Sequence, residues 1–365
     1  MNTPNDLDQP AISGRKADHL DLCIDGDVGF RRKSNLIEGI ELVHDALPEL
    51  SLDDIDLSCT FAGKSLSAPL VIAAMTGGVD RADRINRELA SVAEELGIGF
   101  AFGSQRPLLT DDIITGYQVR EEAPSALVLG NIGIVQAAAA STDALQGLVE
   151  ACQADALVLH LNPAMEVVQP EGDRDFTGGL DTISRLVEGL SVPVVVKETG
   201  CGLSRHVGQR IVDRGVAWVD VSGAGGTSWV AVETHRAEGQ GVTIGETFWD
   251  WGIPTAGSVA QLSDLPLGIC ATGGMRDGLM IARAIALGAR VGGIARPFLQ
   301  AYDRGGIDEV RTMAKRIITE IRIACLLCGA ATPAELQTRP LILSPELLRW
   351  VPRGSSIRQR LATEM

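Results

Sequence analysis

"ALVLHLNPAMEVVQPEGD", residues 156–173, is an apolar run that ends at an Asn-Pro step and passes into amides and carboxylates. Nothing polar interrupts Ala156 to Leu159, so both faces of the stretch read as buried, the mark of a strand in a parallel sheet. Seven further runs of this kind flank it: PLVIAAM (69–75), GIGFAFG (97–103), ALVLGNI (126–132), PVVVKET (193–199), WVDVSG (218–223), GICATGG (268–274) and VGGIARP (291–297). Each is followed by glycine or polar residues and then a helical pattern, which makes eight βα units. Most starts lie 23 to 37 residues apart, room for a strand, a loop, a helix and a return. The step from the sixth to the seventh is 50 residues and is read as holding a long loop or lid. The expected fold is therefore α/β, a (β/α)8 TIM barrel over residues 69–300. Residues 1–68 form an N-terminal extension, and 301–365 form C-terminal helices and a polar tail on the barrel. An open doubly wound sheet is the alternative.

The chain has 365 residues, of which 45% are apolar and 22% charged, enough for a large core. Its formal charge of -15 repels nucleic acid and anionic membrane, so an anionic small substrate needs a local basic site. The first residues, MNTPNDLDQPAIS, carry acids and prolines without an apolar core. They do not read as a signal peptide, and a cytoplasmic protein is expected. Cys325 and Cys328 form the one CxxC, but they lie in an apolar helical pattern without a second cysteine pair, so a core helix is expected rather than a metal site.

Barrel enzymes place their chemistry at the C-terminal ends of the strands. Those ends are polar here: Met75-Thr76, Ser104-Gln105-Arg106, Asn131, His160 and Asn162, Lys197-Glu198, Asp220 and Ser222, Thr272-Gly273-Gly274, and Ala295-Arg296. Gly273-Gly274 opens into an amphipathic helix, Gly292-Gly293 precedes Ala295, and SGAGGTS (222–228) follows the sixth strand. Together these read as a phosphate cradle of backbone N–H groups and a helix N-terminus. Lys197 closes a buried strand and needs an anionic or polar partner. A salt bridge to Glu198 or Asp220 would supply one; so would the N1/O2 edge of a flavin, and FMN accounts for both the cradle and the lysine.

With those residues assembled, the chain resembles the type 2 isopentenyl diphosphate isomerases, FMN-dependent barrel enzymes. The resemblance runs from RKADHL (15–20) to about residue 340 and rests on AAMTGG (73–78), GSQR (103–106), HLN (160–162) with PEGD (170–173), VVKETGCG (195–202), SGAGGTS and TGGMRDG (272–278). It implies interconversion of isopentenyl and dimethylallyl diphosphate with reduced FMN as acid/base, Mg2+ holding the diphosphate, and NAD(P)H serving only to reduce the flavin. It implies that Arg15, Lys16 and His19 bind the substrate diphosphate, and that Ala74, Met75, Thr76, Ser104, Asn131, Lys197 and Thr227 contact the flavin. Ser222, Gly273, Gly274, Arg276, Ala295 and Arg296 would surround its phosphate.

The same resemblance makes His160 and Asn162 substrate-facing, Glu166 the Mg2+ ligand, and Glu233 a carboxylate near the reacting atoms. The family more often has an active-site Gln immediately before the metal-binding Glu, where this chain has Met165. Gln169 stands four residues on, one helical turn from Met165 and on the same face, and is expected to supply the amide; otherwise Met165 lines the prenyl pocket. The family also implies a homotetramer or larger assembly. An FMN-dependent 2-hydroxy-acid oxidase or dehydrogenase is the rival reading, against which the seventh strand end offers no histidine. A non-catalytic flavin-binding relative would have no reason to keep Arg15, Lys16, His19 and Glu166 together.

Overall fold

The computed structural model describes residues 22–24, 26–74, 80–110, 114–169 and 171–362. Its centre is a closed barrel of eight parallel strands: Leu70–Ile72, Gly99–Ala101, Leu127–Gly133, Ala156–Leu161, Val194–Glu198, Trp218–Asp220, Gly268–Ala271 and Val291–Ile294. The eighth pairs back onto the first, Ile294 opposite Ile72, so no sheet edge remains. Seven strands lie within their apolar runs and the third overruns its run by one residue, Gly133; the closed sheet excludes the open alternative.

The runs are apolar throughout because both faces are buried, but by different partners. Alternate residues turn to opposite sides of a strand. Val71, Ala101, Leu129, Val158, Val195 and Cys270 fill the lumen, while Leu70, Phe100, Val128, Leu157, Leu159 and Val196 pack under the outer helices. A hairpin, Cys59–Phe61 with Lys64–Leu66, plugs the end where the strands begin. Phe61 is buried edge-on to Trp218 at 5.3 Å, and Lys64 pairs with Asp155 at 2.8 Å. That end is sealed, which leaves chemistry to the opposite mouth.

Before and after the barrel, Ile40–Leu42 pairs antiparallel with Leu341–Leu343, tying the N-terminal extension to the C-terminal segment. The last barrel helix, Arg296–Leu327, breaks at Gly305-Gly306, where Gly306 has φ 63°. Cys325 and Cys328 are buried free thiols at its end, as the core-helix reading expects. Among the described residues no helix is long and apolar enough to cross a membrane.

The 50-residue step is not a long loop. It folds as two extra helices, Trp229–Arg236 and Gln240–Phe248, followed by the ordinary barrel helix Thr255–Leu262. Ser228 caps the first by accepting from Ala231 N at 3.1 Å. Gly245 lets the second approach the first, since a Cβ there would overlap the Thr234 side chain.

Candidate active site

A cavity of about 400 Å³ opens at the C-terminal mouth, over strands one and five to eight. Its wall includes Ala74, Lys197, Ser222, Thr227, Gly273, Gly274, Arg276, Ala295 and Arg296, nine of the residues expected around a flavin. Met75 and Thr76 lie outside the described residues, as do Arg15, Lys16 and His19.

The glycines make the cradle by bringing backbone against backbone. Gly273 (φ 104°) and Gly274 (φ 74°) sit in the left-handed region that glycine enters without strain. A Cβ on Gly274 would stand 2.5 Å from the Gly225 carbonyl oxygen, and one on Gly226 would overlap Gly274 N. Asn35, from the N-terminal extension, donates to Gly274 O at 2.8 Å, and Thr255 donates to Gly273 O at 2.7 Å. The loops after strands six and seven are therefore locked together, with room for an anion but not for side chains.

The helix end in this cradle differs from expectation. The helix after strand seven, Gly278–Leu287, starts four residues beyond Gly274 and is already satisfied. Asp277 accepts from Met280 N at 2.8 Å, and Glu320 accepts from Gly278 N at 2.6 Å. The helix after strand eight carries the open N-terminus, because Ala295, at its N-cap, has no side chain to cap it. That end, with the glycine loops, fits a phosphate.

Arg296 lines the cavity, yet its Nε and Nη2 donate to the carbonyls of Cys23 and Gly26 at 2.6 and 2.8 Å. It ties the N-terminal segment to the rim. Arg276 is exposed and pairs with Glu38 at 2.9 Å.

Lys197 resolves the choice its position posed, since it has a protein partner and still faces the cavity. Its Nζ lies 3.4 Å from Asp220 Oδ2 and donates to Glu198 O at 2.7 Å. The Glu198 carboxylate turns away and accepts from Thr199 N (2.6 Å), Gly202 N (3.1 Å) and Cys201 N. Burial outweighs those donors and Lys197, and lifts the carboxyl to about 7.

Beside Lys197, in register on strand four, stands His160. Asn131 donates its amide to Phe102 O at 3.0 Å, so its oxygen faces the ring, and His160 Nδ1 lies 2.8 Å from it. Nδ1 therefore carries the hydrogen, and Nε2 keeps a lone pair. Burial, with Lys197 adding to it, holds the imidazole down to about 4, so it is neutral at pH 7. Asn131 and Ser104 do not line the cavity. Asn131 orients His160, and the Ser104 carbonyl accepts from Tyr117 Oη at 2.8 Å.

The short helix Pro163–Val168 continues this ledge. Asn162 donates to Glu166 Oε1 at 2.7 Å, and Asp173 N donates to Oε2 at 3.0 Å, both residues being buried or half-buried. Among the described residues no cluster of three or more His, Cys, Asp or Glu could hold a metal by itself. Glu166 alone, with lone pairs to spare, fits the single-carboxylate way in which Mg2+ is held on a phosphate.

Met165 and Gln169 are both buried, but Gln169 is past the helix, with extended backbone (φ -78°, ψ 136°). Its Nε2 folds back onto Met165 O at 3.3 Å. The two are thus linked, though not as equivalent positions one turn apart. Helix 163–168 packs against Trp229–Arg236, on which Glu233 is buried and paired with Arg236 at 2.8 Å. Sequence reasoning missed Asn35, and also Gln136, which donates to Asp173 at 2.8 Å beside His160.

A family model described as FMN-dependent dehydrogenase matches residues 160–343. Among solved structures, a mutant flavocytochrome b2 with pyruvate bound superposes with TM-score 0.67 at 18% identity, over 94% of this chain and 87% of that one. A mandelate oxidase mutant with a monooxide FMN adduct gives 0.62 at 17%, over 89% and 95%. These share the fold. In sequence the chain is 43% identical over 353 residues to an isopentenyl-diphosphate delta-isomerase of Methanosarcina barkeri, covering 95% of this chain and 96% of that protein. It is 44% identical over 343 residues to the enzyme of the same name from Methanothermobacter thermautotrophicus, covering 93% and 96%. The Nostoc enzyme is 42% identical over 342 residues, covering 92% and 97%. At that identity over nearly the full length, and with an FMN-type barrel carrying the matching motifs, the chain belongs to the isopentenyl-diphosphate delta-isomerase family, in its FMN-dependent type 2 form.

Proposed function

We propose that the chain moves the double bond between isopentenyl and dimethylallyl diphosphate across the shared wall of the cavity and the strand-four ledge. The observation that carries this reading is the side-by-side placement of neutral His160 and Lys197, which joins the ledge to the cavity. FMN in the cavity, when reduced, supplies proton exchange at the alkene and stabilisation of the positive charge that develops on its tertiary carbon.

The chain's own residues do the rest. His160, held neutral by burial and fixed through Asn131, presents the Nε2 lone pair to the substrate and adds no cation beside the developing charge. Glu166, oriented by Asn162 and Asp173 N, takes the Mg2+ that binds the diphosphate. Arg15, Lys16 and His19 hold the diphosphate from the N-terminal side. Two residues separate His19 from Leu22, where the described chain reaches the rim. Glu233 is the second carboxylate at the reacting end, and Gln169 supplies the amide absent at position 165, with Met165 against the hydrocarbon. NAD(P)H serves as reductant of the flavin, and the working form is a cytoplasmic homotetramer or larger, with no nucleic-acid or membrane partner.

The test is incubation with FMN, dithionite, Mg2+ and isopentenyl diphosphate in D2O. Dimethylallyl diphosphate carrying deuterium is expected. Oxidation of a 2-hydroxy acid without isomerisation would replace this reading by the hydroxy-acid oxidase one. For position 165, Gln169→Ala is expected to lose turnover and Met165→Gln to tolerate its loss; full activity in Gln169→Ala would remove the amide role.

A further inference from the structure

Asp220, the partner of Lys197, lies one layer beneath the cavity. It is in register with Lys197 on strand five and with Cys270 on strand seven, so its side chain points into the lumen between them. There it borders a separate, almost wholly apolar void of about 20 Å³ under Lys197. Its two oxygens are divided between three residues that line the flavin cavity. Oδ2 is 3.4 Å from Lys197 Nζ, while Oδ1 accepts from Ser222 N at 3.1 Å and from the Thr272 hydroxyl. Ser222 is itself held at φ 36°, a conformation an L-residue keeps only when its surroundings fix it.

This arrangement has an electrostatic consequence. The Lys197 and Asp220 side chains are 12% and 11% exposed, so solvent screens neither charge well. A cation at the cavity floor favours a flavin in its reduced, more negative state, and a carboxylate directly behind that cation opposes the effect. We propose that Asp220 is a positioning residue that holds Lys197 at the cavity floor and, by offsetting its charge, limits how strongly the cavity prefers reduced over oxidised FMN. The proposal rests on the reading of this cavity as the FMN site.

Asp220→Asn isolates the charge, because the amide oxygen can still accept from Ser222 N and the Thr272 hydroxyl. The readout is the ratio of reduced-FMN to oxidised-FMN affinity, measured as the midpoint potential of the holoenzyme. It is expected to rise at least tenfold, which is about 30 mV for a two-electron couple. Lys197→Met should lower the potential, and Asp220→Asn should raise it in that background as well, since the two charges add at the flavin. A potential unchanged or lowered by Asp220→Asn in FMN-loaded protein overturns the proposal. Should Asp220→Asn fail to fold, Thr272→Val removes a donor from the carboxylate, strengthens its hold on Lys197 and should move the potential the opposite way; no shift there is equally fatal. Wild-type protein that binds no FMN would instead bring down the site assignment and the proposal with it.

Discussion

Gly274→Ala measures the phosphate cradle directly, because the structure provides its own control. Gly274 and Gly178 share the same φ, 74°, but a Cβ on Gly178 would meet nothing within 4 Å. A Cβ on Gly274 would meet Gly225 O at 2.5 Å, Gly225 C at 2.9 Å and Asn35 Nδ2 at 2.9 Å. Two of those three neighbours are backbone and cannot swing away. Gly178→Ala therefore carries only the left-handed strain, about 1–2 kcal/mol. Gly274→Ala carries that strain plus overpacking of about 1–3 kcal/mol, for a total of about 2–5 kcal/mol. Relief requires the loops after strands six and seven to part, which opens the cradle, and FMN affinity should fall by roughly a hundredfold, about 2–3 kcal/mol. Urea unfolding of both apo variants and FMN titration by fluorescence give the two numbers. Equal destabilisation in the two variants, or wild-type FMN affinity in Gly274→Ala, would refute the close approach of Gly225 to Gly274 as the basis of the site.

Glu198 has a folded pKa near 7 against about 4.5 in the unfolded chain, so the folded state binds the extra proton between those values and stability falls as pH rises through them. Glu198→Gln keeps an acceptor for the three N–H groups, and its unfolding free energy should gain on the wild type by up to about 3 kcal/mol from pH 4.5 to 7; a pH-independent difference would sink the argument. His160 works in the opposite sense, its folded pKa near 4 lying below the usual 6.5, so stability is lost as pH falls from 6.5 to 4. His160→Gln should flatten that acid limb by up to about 3 kcal/mol, read from urea midpoints, and its proton NMR signal in the wild type should not titrate above pH 5. Asn131→Ala removes the acceptor that fixes Nδ1–H, and is expected to cost about 1–3 kcal/mol of stability and to lower kcat with a smaller effect on KM; an unchanged kcat would mean the tautomer is not set there.

The barrel was legible because its strands are buried on both faces, and runs such as ALVL (156–159) contain no residue suited to water on either side. Most lengths were overestimated: the run 97–103 yields a strand of three residues, Gly99–Ala101. The extra helices after strand six were hidden because Gly239, Gly241 and Gly245 interrupt the helical pattern; Gly245 is there for the crossing with Thr234, a contact that spacing does not reveal. Asp277 was a readable N-cap signal that would have moved the helix start away from Gly274. Likewise Pro170 disfavours helical backbone at Gln169, so the sequence itself argued against placing Met165 and Gln169 on one helix face. Asn35 and Glu320 left no such signal. Each reaches the cradle from a distant part of the chain, where only the closed barrel brings them together.

The two basic runs near the N-terminus show how far charge alone can mislead. Arg31-Arg32-Lys33 carries one cation more than Arg15-Lys16 and by charge alone has at least equal standing as a diphosphate site. In the folded chain it is a fastening. Arg31 pairs with Glu246, and its guanidinium sits 3.5 Å from the centre of the Trp249 ring; the backbone N–H groups of Arg31 and Arg32 both donate to Asp250, and Lys33 donates to Gly252 O. Trp249 Nε1 adds a bond to Gly29 O at 2.9 Å, and Ser228 N one to Val28 O at 2.8 Å. The partners all come from the 50-residue step, which makes that insertion a clasp on residues 28–33 rather than a free lid. Arg296 and Gln300 secure the carbonyls of Cys23, Ile24 and Gly26. A chain held in this way passes the mouth at a fixed place, which is what the proposed diphosphate-binding role of Arg15, Lys16 and His19 requires. Gly29 and Phe30, on the clasped segment, line the proposed FMN cavity, so loosening the clasp should act on both ligands: Trp249→Ala is expected to raise KM for isopentenyl diphosphate severalfold and to lower FMN affinity. A drop in FMN affinity with unchanged KM would make the clasp part of the cofactor site alone.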